Sequence, residues 1–96
     1  MKLIIEVVEI MGKCPVYTVG DRIVLDDGYK VNLKETDNIC MHSLGSLMPY
    51  YNALVKGVSP LELGLAKQGK DAYIQCLDPK KYTGGGTVTF KINRKD

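Results

Sequence analysis

The chain opens with apolar residues that alternate with charged ones. Leu3, Ile5 and Val7 lie on one face of an extended chain, and Glu6 lies on the other. This period of two, in a stretch rich in Ile and Val, is typical of a β-strand and predicts one over residues 2–11. The alternation is interrupted near the end of the stretch, where Val and Ile also occupy the second face, so we expect that face to be partly covered.

Three further strands are predicted: the apolar stretch of residues 22–25, and residues 71–77 and 87–93, where apolar residues again alternate with polar ones. Turn-forming sequences such as Asp27-Gly28 separate these stretches. Residues 29–33, which follow that turn, are also expected to pair as a short strand.

The middle of the chain has a helical period instead. Apolar residues recur there at spacings of four and three, which is the stripe of an amphipathic helix, at Cys40, Leu44, Leu47, Tyr51 and Leu54. We expect the helix to begin at the N-cap residue types of Thr36–Asn38 and to end at Lys56-Gly57. Pro49 either kinks this helix or opens a second one.

A further short helix is predicted from Ser59-Pro60 to about Lys67, because proline suits the first helical position. Strands at both ends of the chain and helices between them indicate an α+β fold. The expected architecture is a mainly antiparallel sheet of about four strands. One main Pro-kinked helix and a short second helix lie between the strand pairs, in a single domain of residues 1–96.

Composition narrows the classes of function. The 96 residues include 13 basic and 11 acidic ones, for a net charge of +2, so the concentrated basic face of a nucleic-acid-binding protein is not expected. The acidic residues near the N-terminus are unlike a signal peptide, and no apolar run reaches the length of a membrane helix. We therefore expect a cytoplasmic protein with reduced thiols.

The candidate chemistry lies in three cysteines, Cys14, Cys40 and Cys76, and in the only histidine, His42. Together they make a Cys3His set, which is a valid zinc composition and also leaves iron open. The spacing lacks a Cys-x2-Cys knuckle. On a regular helix, Cys40 and His42 would point to nearly opposite sides, so they could share an ion only if Cys40 precedes the helix.

Three interpretations of the cysteines stay open. The pattern favours buried structural thiols, because free cysteine behaves as a small buried hydrophobe, and Cys40 and Cys76 lie on predicted core faces. The second is a metal site, and the third is a redox or nucleophilic thiol. Cys14 is the foremost functional candidate, since it lies in a loop beside Lys13, which would favour a thiolate.

The motifs around the cysteines resemble those of a family of small bacterial and archaeal repeat-type proteins of unknown function. The resemblance covers nearly the whole chain and rests on the order of five motifs: Gly12-x-Cys14-Pro15, Val19-Gly20-Asp21, Cys40-x-x-Ser43-Leu44, Leu47-x-Pro49-Tyr50 and Cys76-x-Asp78-Pro79. It implies that cysteines recur at these three positions in the family. It implies no activity and no catalytic residue.

Three functions are compatible with these features. A non-enzymatic module that binds a protein partner or a second copy of itself is the first, motivated by the small size and by a loop at Tyr82–Gly86. That glycine-rich loop is expected to be a turn or bulge, with a mobile lid or a close approach to a ligand as the alternative. The second function is metal binding or thiol redox chemistry at the cysteines. A small enzyme near His42 and Tyr50 ranks last, because no nucleophile–base pair stands out.

Overall fold

A five-stranded antiparallel sheet organises the protein, and the computed structural model describes residues 1–96. The strands are β1 Lys2–Gly12, β2 Arg22–Asp26, β3 Lys30–Val31, β4 Ala72–Gln75 and β5 Gly86–Lys95. They lie in the order β3-β2-β1-β5-β4. The predicted α+β class and antiparallel sheet are confirmed, with five strands instead of about four because residues 30–31 pair with β2.

The two ends of the chain form the centre of the sheet, where β1 pairs with β5. The register shifts between Val7 and Glu9, so Val8 is an extra residue in β1, which is a β-bulge. Beyond it, Ile10 pairs with Val88 and packs against the core. The bulge therefore explains why the apolar alternation of β1 is interrupted.

Three short helices lie between the strands: α1 Met41–Leu47, α2 Tyr51–Val55 and α3 Lys80–Thr83. α1 packs against β4 and α2 against β5. The one main helix of the prediction is divided into α1 and α2 at Pro49, which has no N–H to donate, so the predicted alternative of a second helix near Pro49 is the one observed.

The predicted start of the helix, at residues 36–38, is also wrong. The side chains of Thr36 and Asp37 accept hydrogen bonds from the backbone of β2, from Val24 N at 3.0 Å and Arg22 N at 2.8 Å respectively. These two residues therefore satisfy the free edge of β2, and α1 begins only after Cys40, whose φ of −95° and ψ of 136° are extended.

The short helix predicted from residue 59 is replaced by turns, which are closed by hydrogen bonds such as Leu65 N to Pro60 O at 2.9 Å. Conversely, α3 forms where a turn and loop had been predicted. Its last residue is followed by Gly84, whose φ of 71° ends the helix in the left-handed region that glycine adopts without steric cost.

The core fills one face of the sheet, beneath α1 and α2. Inward-facing residues of β1 and β5 form its centre, with Phe90 fully buried. The Tyr17 ring meets the Phe90 ring edge-on, with centroids 5.5 Å apart. None of the helices has the length and apolar character that a membrane span needs.

Candidate functional site

The three cysteines and His42 line one cavity of about 200 Å³. Cys14 lies just beyond β1, Cys40 directly before α1, and Cys76 directly after β4. The sheet order explains the convergence. Gly12 at the end of β1 pairs with Gly86 at the start of β5, and Gln75 at the end of β4 pairs with Thr89, three residues further along β5. The residues predicted as metal-site candidates are thus all brought to one place.

Cys14 is half-buried, and its sulfur is a hydrogen-bond acceptor. Val16 N donates to Cys14 Sγ at 3.4 Å and Tyr17 N donates at 3.3 Å. Pro15 turns the chain so that these two N–H groups face back toward the sulfur. Backbone donors directed at a sulfur suit a thiolate or a metal-bound thiolate.

Cys40 and His42 lie on the same side, because Cys40 precedes the helix. Cys40 packs against the core as predicted, but it lies in extended backbone before α1 and not within the helix. It is half-buried, whereas His42 is exposed in α1. Both line the cavity. Cys40 and His42 could share an ion only if Cys40 precedes the helix, and this condition is met.

Cys76 differs from the other two cysteines because it belongs to the hydrophobic core, as predicted. Val88 N donates to Cys76 Sγ at 3.2 Å, and the thiol donates to Gly86 O at 3.7 Å. Its sulfur therefore has a hydrogen-bond partner on each side, and the residue lines the cavity.

Two glycines allow the walls of the cavity to approach each other. A Cβ on Gly86 would lie 2.8 Å from Lys13 C and 2.9 Å from Cys14 N. A Cβ on Gly12 would lie 2.4 Å from Gly85 O. The glycine-rich segment therefore does allow a close approach, as one interpretation predicted. What approaches it is the backbone of Lys13 and Cys14 and not a ligand.

Sequence reasoning missed two residues that lie behind Cys40. Tyr17 Oη lies 2.7 Å from Cys40 N and 2.8 Å from Ser43 Oγ. Burial raises the pKa of Tyr17 above its ordinary value, although its hydrogen bonds oppose the shift. The available signal was Ser43 itself, a polar residue four positions before Leu47, on the side of α1 that faces the core.

No group of three or more His, Cys, Asp or Glu side chains is already arranged to hold a metal ion. The cysteines line the cavity without forming a preformed coordination sphere. A cysteine sulfur moves by rotation about a single side-chain torsion with three staggered wells.

A second, apolar cleft lies between β2, β3 and the helices. It has a volume of about 170 Å³, and 10 of its 11 lining residues are hydrophobic. Tyr29 and Met48 line it and are largely exposed elsewhere on their surfaces. Tyr82, in the loop predicted to meet a partner, is 80% exposed, and Tyr50 packs at the edge of the core.

Comparison of the chain with protein-family models, with curated proteins and with solved structures finds no match. The family resemblance of the motifs therefore stays a prediction, and the function is argued from the geometry alone.

Proposed function

We propose that the protein binds a metal ion of the zinc type through the thiolates of Cys14, Cys40 and Cys76, with His42 as the fourth ligand. The observation that carries this proposal is that four side chains from three distant segments of the chain line one cavity. Zinc is the first candidate, because Cys3His is one of its common ligand sets, and iron is the alternative.

The exposure of the residues supports a ligand at this place. A purely structural thiol is expected to lie inside the core, as Cys76 does. Cys14 and Cys40 instead remain half-buried at the cavity. The two N–H groups that face Cys14 Sγ would also stabilise a metal-bound sulfur.

Metal binding in this site would be coupled to local rearrangement. Cys76 would exchange its hydrogen bond to Gly86 O for the metal, and the other side chains would rotate inward. Each thiol must lose its proton to bind, so the affinity should fall as the pH is lowered.

Titration of the metal-free protein with Zn²⁺, in competition with a chromophoric chelator, tests the proposal. We expect one Zn²⁺ per chain. Cys14→Ser and Cys40→Ser should each weaken the affinity at least about tenfold, because a hydroxyl is a much poorer zinc ligand than a thiolate. The protein should be purified without a histidine tag, and its metal content measured by elemental analysis.

Met41→Leu provides the matched control. It removes a sulfur next to Cys40, but the Met41 side chain is exposed and does not line the cavity. We expect its zinc affinity to equal that of the wild type. Absence of stoichiometric zinc or iron, with all three thiols reacting equally in the presence and absence of Zn²⁺, would contradict metal binding.

Thiol redox chemistry is the second candidate function, favoured by the acceptor role of Cys14 Sγ. The two candidates are separated by the metal-free protein. A reactive Cys14 in a protein that binds no metal would support the redox candidate, and unchanged total thiol reactivity in Cys14→Ser would contradict it.

The partner-binding module predicted from the sequence has its support elsewhere, in the apolar cleft beside β3. A cleft of about 170 Å³ accepts one or two apolar side chains of a partner, since sites for drug-sized ligands are about 300–1,000 Å³. None of the three cysteines lines this cleft, so metal binding and partner binding are compatible.

A further inference from the structure

A closed ring of three hydrogen bonds holds the backbone of Cys40 from both sides. Cys40 N donates to Tyr17 Oη at 2.7 Å, and Ser43 Oγ donates to the Cys40 carbonyl oxygen at 2.6 Å. Tyr17 Oη and Ser43 Oγ, which are 2.8 Å apart, close the ring.

The chemistry of the groups determines the direction of the third bond. The carbonyl of Cys40 can only accept, so the single hydroxyl proton of Ser43 is committed to it. Tyr17 must therefore donate to Ser43 Oγ while it accepts from Cys40 N. Each hydroxyl donates once and accepts once, and both polar groups of the Cys40 backbone are satisfied.

The ring is built into the core, where its geometry is tightly held. Tyr17 is 5% exposed and Ser43 is 0% exposed. Hydrogen bonds in such surroundings are strong, and a buried group that loses its partner is costly.

Tyr17 also contacts the other half-buried cysteine. Its backbone N–H donates to Cys14 Sγ at 3.3 Å, while its phenol holds Cys40. One residue thus connects the two thiols that lie at the cavity, although they come from different parts of the chain. These contacts use the backbone N–H and the hydroxyl, whereas the ring of Tyr17 meets Phe90 edge-on.

We infer that Tyr17 and Ser43 are positioning residues that fix the Cys40 backbone so that its thiol is presented to the cavity. This inference rests on the proposed metal-binding function and names the residues that tune its affinity. Partners behind a metal ligand orient it, and their removal typically weakens metal affinity about 10- to 100-fold.

Tyr17→Phe tests the inference, because it removes the phenol but keeps the ring and the backbone N–H to Cys14. We expect its zinc affinity to fall at least about tenfold, with a comparable loss in Ser43→Ala. The double variant should lose little more than either single one, because each change breaks the same ring.

Two controls separate positioning from general destabilisation. Tyr51→Phe removes a phenol that makes no hydrogen bond within the protein. Val55→Ala loosens the core away from the cavity. Both should bind zinc as the wild type does at a temperature where every variant is folded. A Tyr17→Phe affinity within twofold of the wild type, or equal to that of Val55→Ala, would overturn the inference.

Thiol alkylation provides a second readout, which tests the positioning role without metal. If the wild type binds no metal, the proposed function fails, but this readout still decides the inference. The alkylation rates of Cys40 and Cys14 are measured in the same metal-free molecules by mass spectrometry of their peptides. Tyr17→Phe should raise the rate of Cys40 relative to Cys14 about tenfold or more, since Cys14 keeps its N–H donors. An unchanged ratio would contradict a positioning role.

Discussion

At the scale of single residues, the absence of one side chain determines how closely Cys14 lies to β5. Gly86 faces the backbone of Lys13 and Cys14 at a separation that leaves no room for a Cβ. The backbone N–H of Lys13 also donates to Gly85 O at 3.2 Å. The cavity thus depends on a backbone-to-backbone contact, which cannot relax as easily as a contact with a flexible side chain.

Gly86→Ala should lower the free energy of unfolding by about 1–3 kcal/mol, because the added methyl group overpacks a contact between two backbones. Urea denaturation monitored by circular dichroism measures this change. Gly45→Ala is the matched control. Its Cβ would meet only the end of the Leu77 side chain, at 2.9 Å, and alanine favours the helix. Equal destabilisation by both variants would contradict the special role of Gly86.

At the scale of secondary-structure elements, the segment of residues 32–37 completes the edge of β2. Asn32 N donates to Val24 O at 2.8 Å, and Thr36 accepts from Val24 N on the same edge. Glu35 in this segment forms an ion pair with Lys2 of β1 and accepts a hydrogen bond from Asn32. The hydrogen bond from Lys2 lowers the pKa of Glu35 below its ordinary value of 4.5.

This ion pair should make stability depend on pH on the acidic side. A carboxylate with a lowered pKa in the folded protein stabilises it above the unfolded pKa, and this contribution is lost as the pH falls through the folded pKa. Glu35→Gln should therefore lose less stability than the wild type when the pH falls below about 4.5. The effect should be small and weakened by salt, because the pair is exposed to solvent.

Thermal melts at pH 7 and at several acidic pH values measure the effect. The control is Glu62→Gln, because Glu62 is an exposed carboxylate without an ion-pair partner. Its pH dependence should match that of the wild type. Parallel curves for Glu35→Gln and the wild type would show that the pair does not contribute.

At the scale of the whole molecule, stability depends on the central pair of strands, which joins the two ends of the chain. Phe90 lies in the middle of β5 and is 0% exposed. It pairs with Val7 of β1 and with Ile74 of β4, and its ring meets Tyr17. The same residue therefore supports the sheet and the back wall of the cavity.

Phe90→Ala should lower the free energy of unfolding by about 3–5 kcal/mol, because it leaves a cavity in the core. This is a large part of the roughly 5–15 kcal/mol that stabilises a typical domain. Tyr73 lies on the opposite face of the sheet and is 47% exposed, so Tyr73→Ala should change the free energy of unfolding by only about 0.5 kcal/mol. The midpoints of urea denaturation measure both, and a small effect of Phe90→Ala would contradict the central position of this ring.

Features that depend on local periodicity were predictable from the order of residues along the chain. The alternation in residues 2–11 predicted β1, and the alternation of Val88, Phe90 and Ile92 predicted the inward face of β5. The helical stripe predicted the burial of Leu47 and Leu54, but it missed the buried Ser43 and Val55. These features follow from neighbours along the chain, because the period of a strand or helix is a property of the backbone itself.

The start of α1 and the meeting of the cavity side chains depend on contacts between distant segments of the folded chain. Thr36 is a good N-cap residue type, yet the free edge of β2 takes its hydroxyl. This competition leaves Cys40 in extended backbone, on the same cavity as His42. The convergence of Cys14 with Cys76 likewise depends on the pairing of β1, β5 and β4. Such contacts join segments far apart in sequence, and their register is set by packing and edge hydrogen bonds that no local pattern contains.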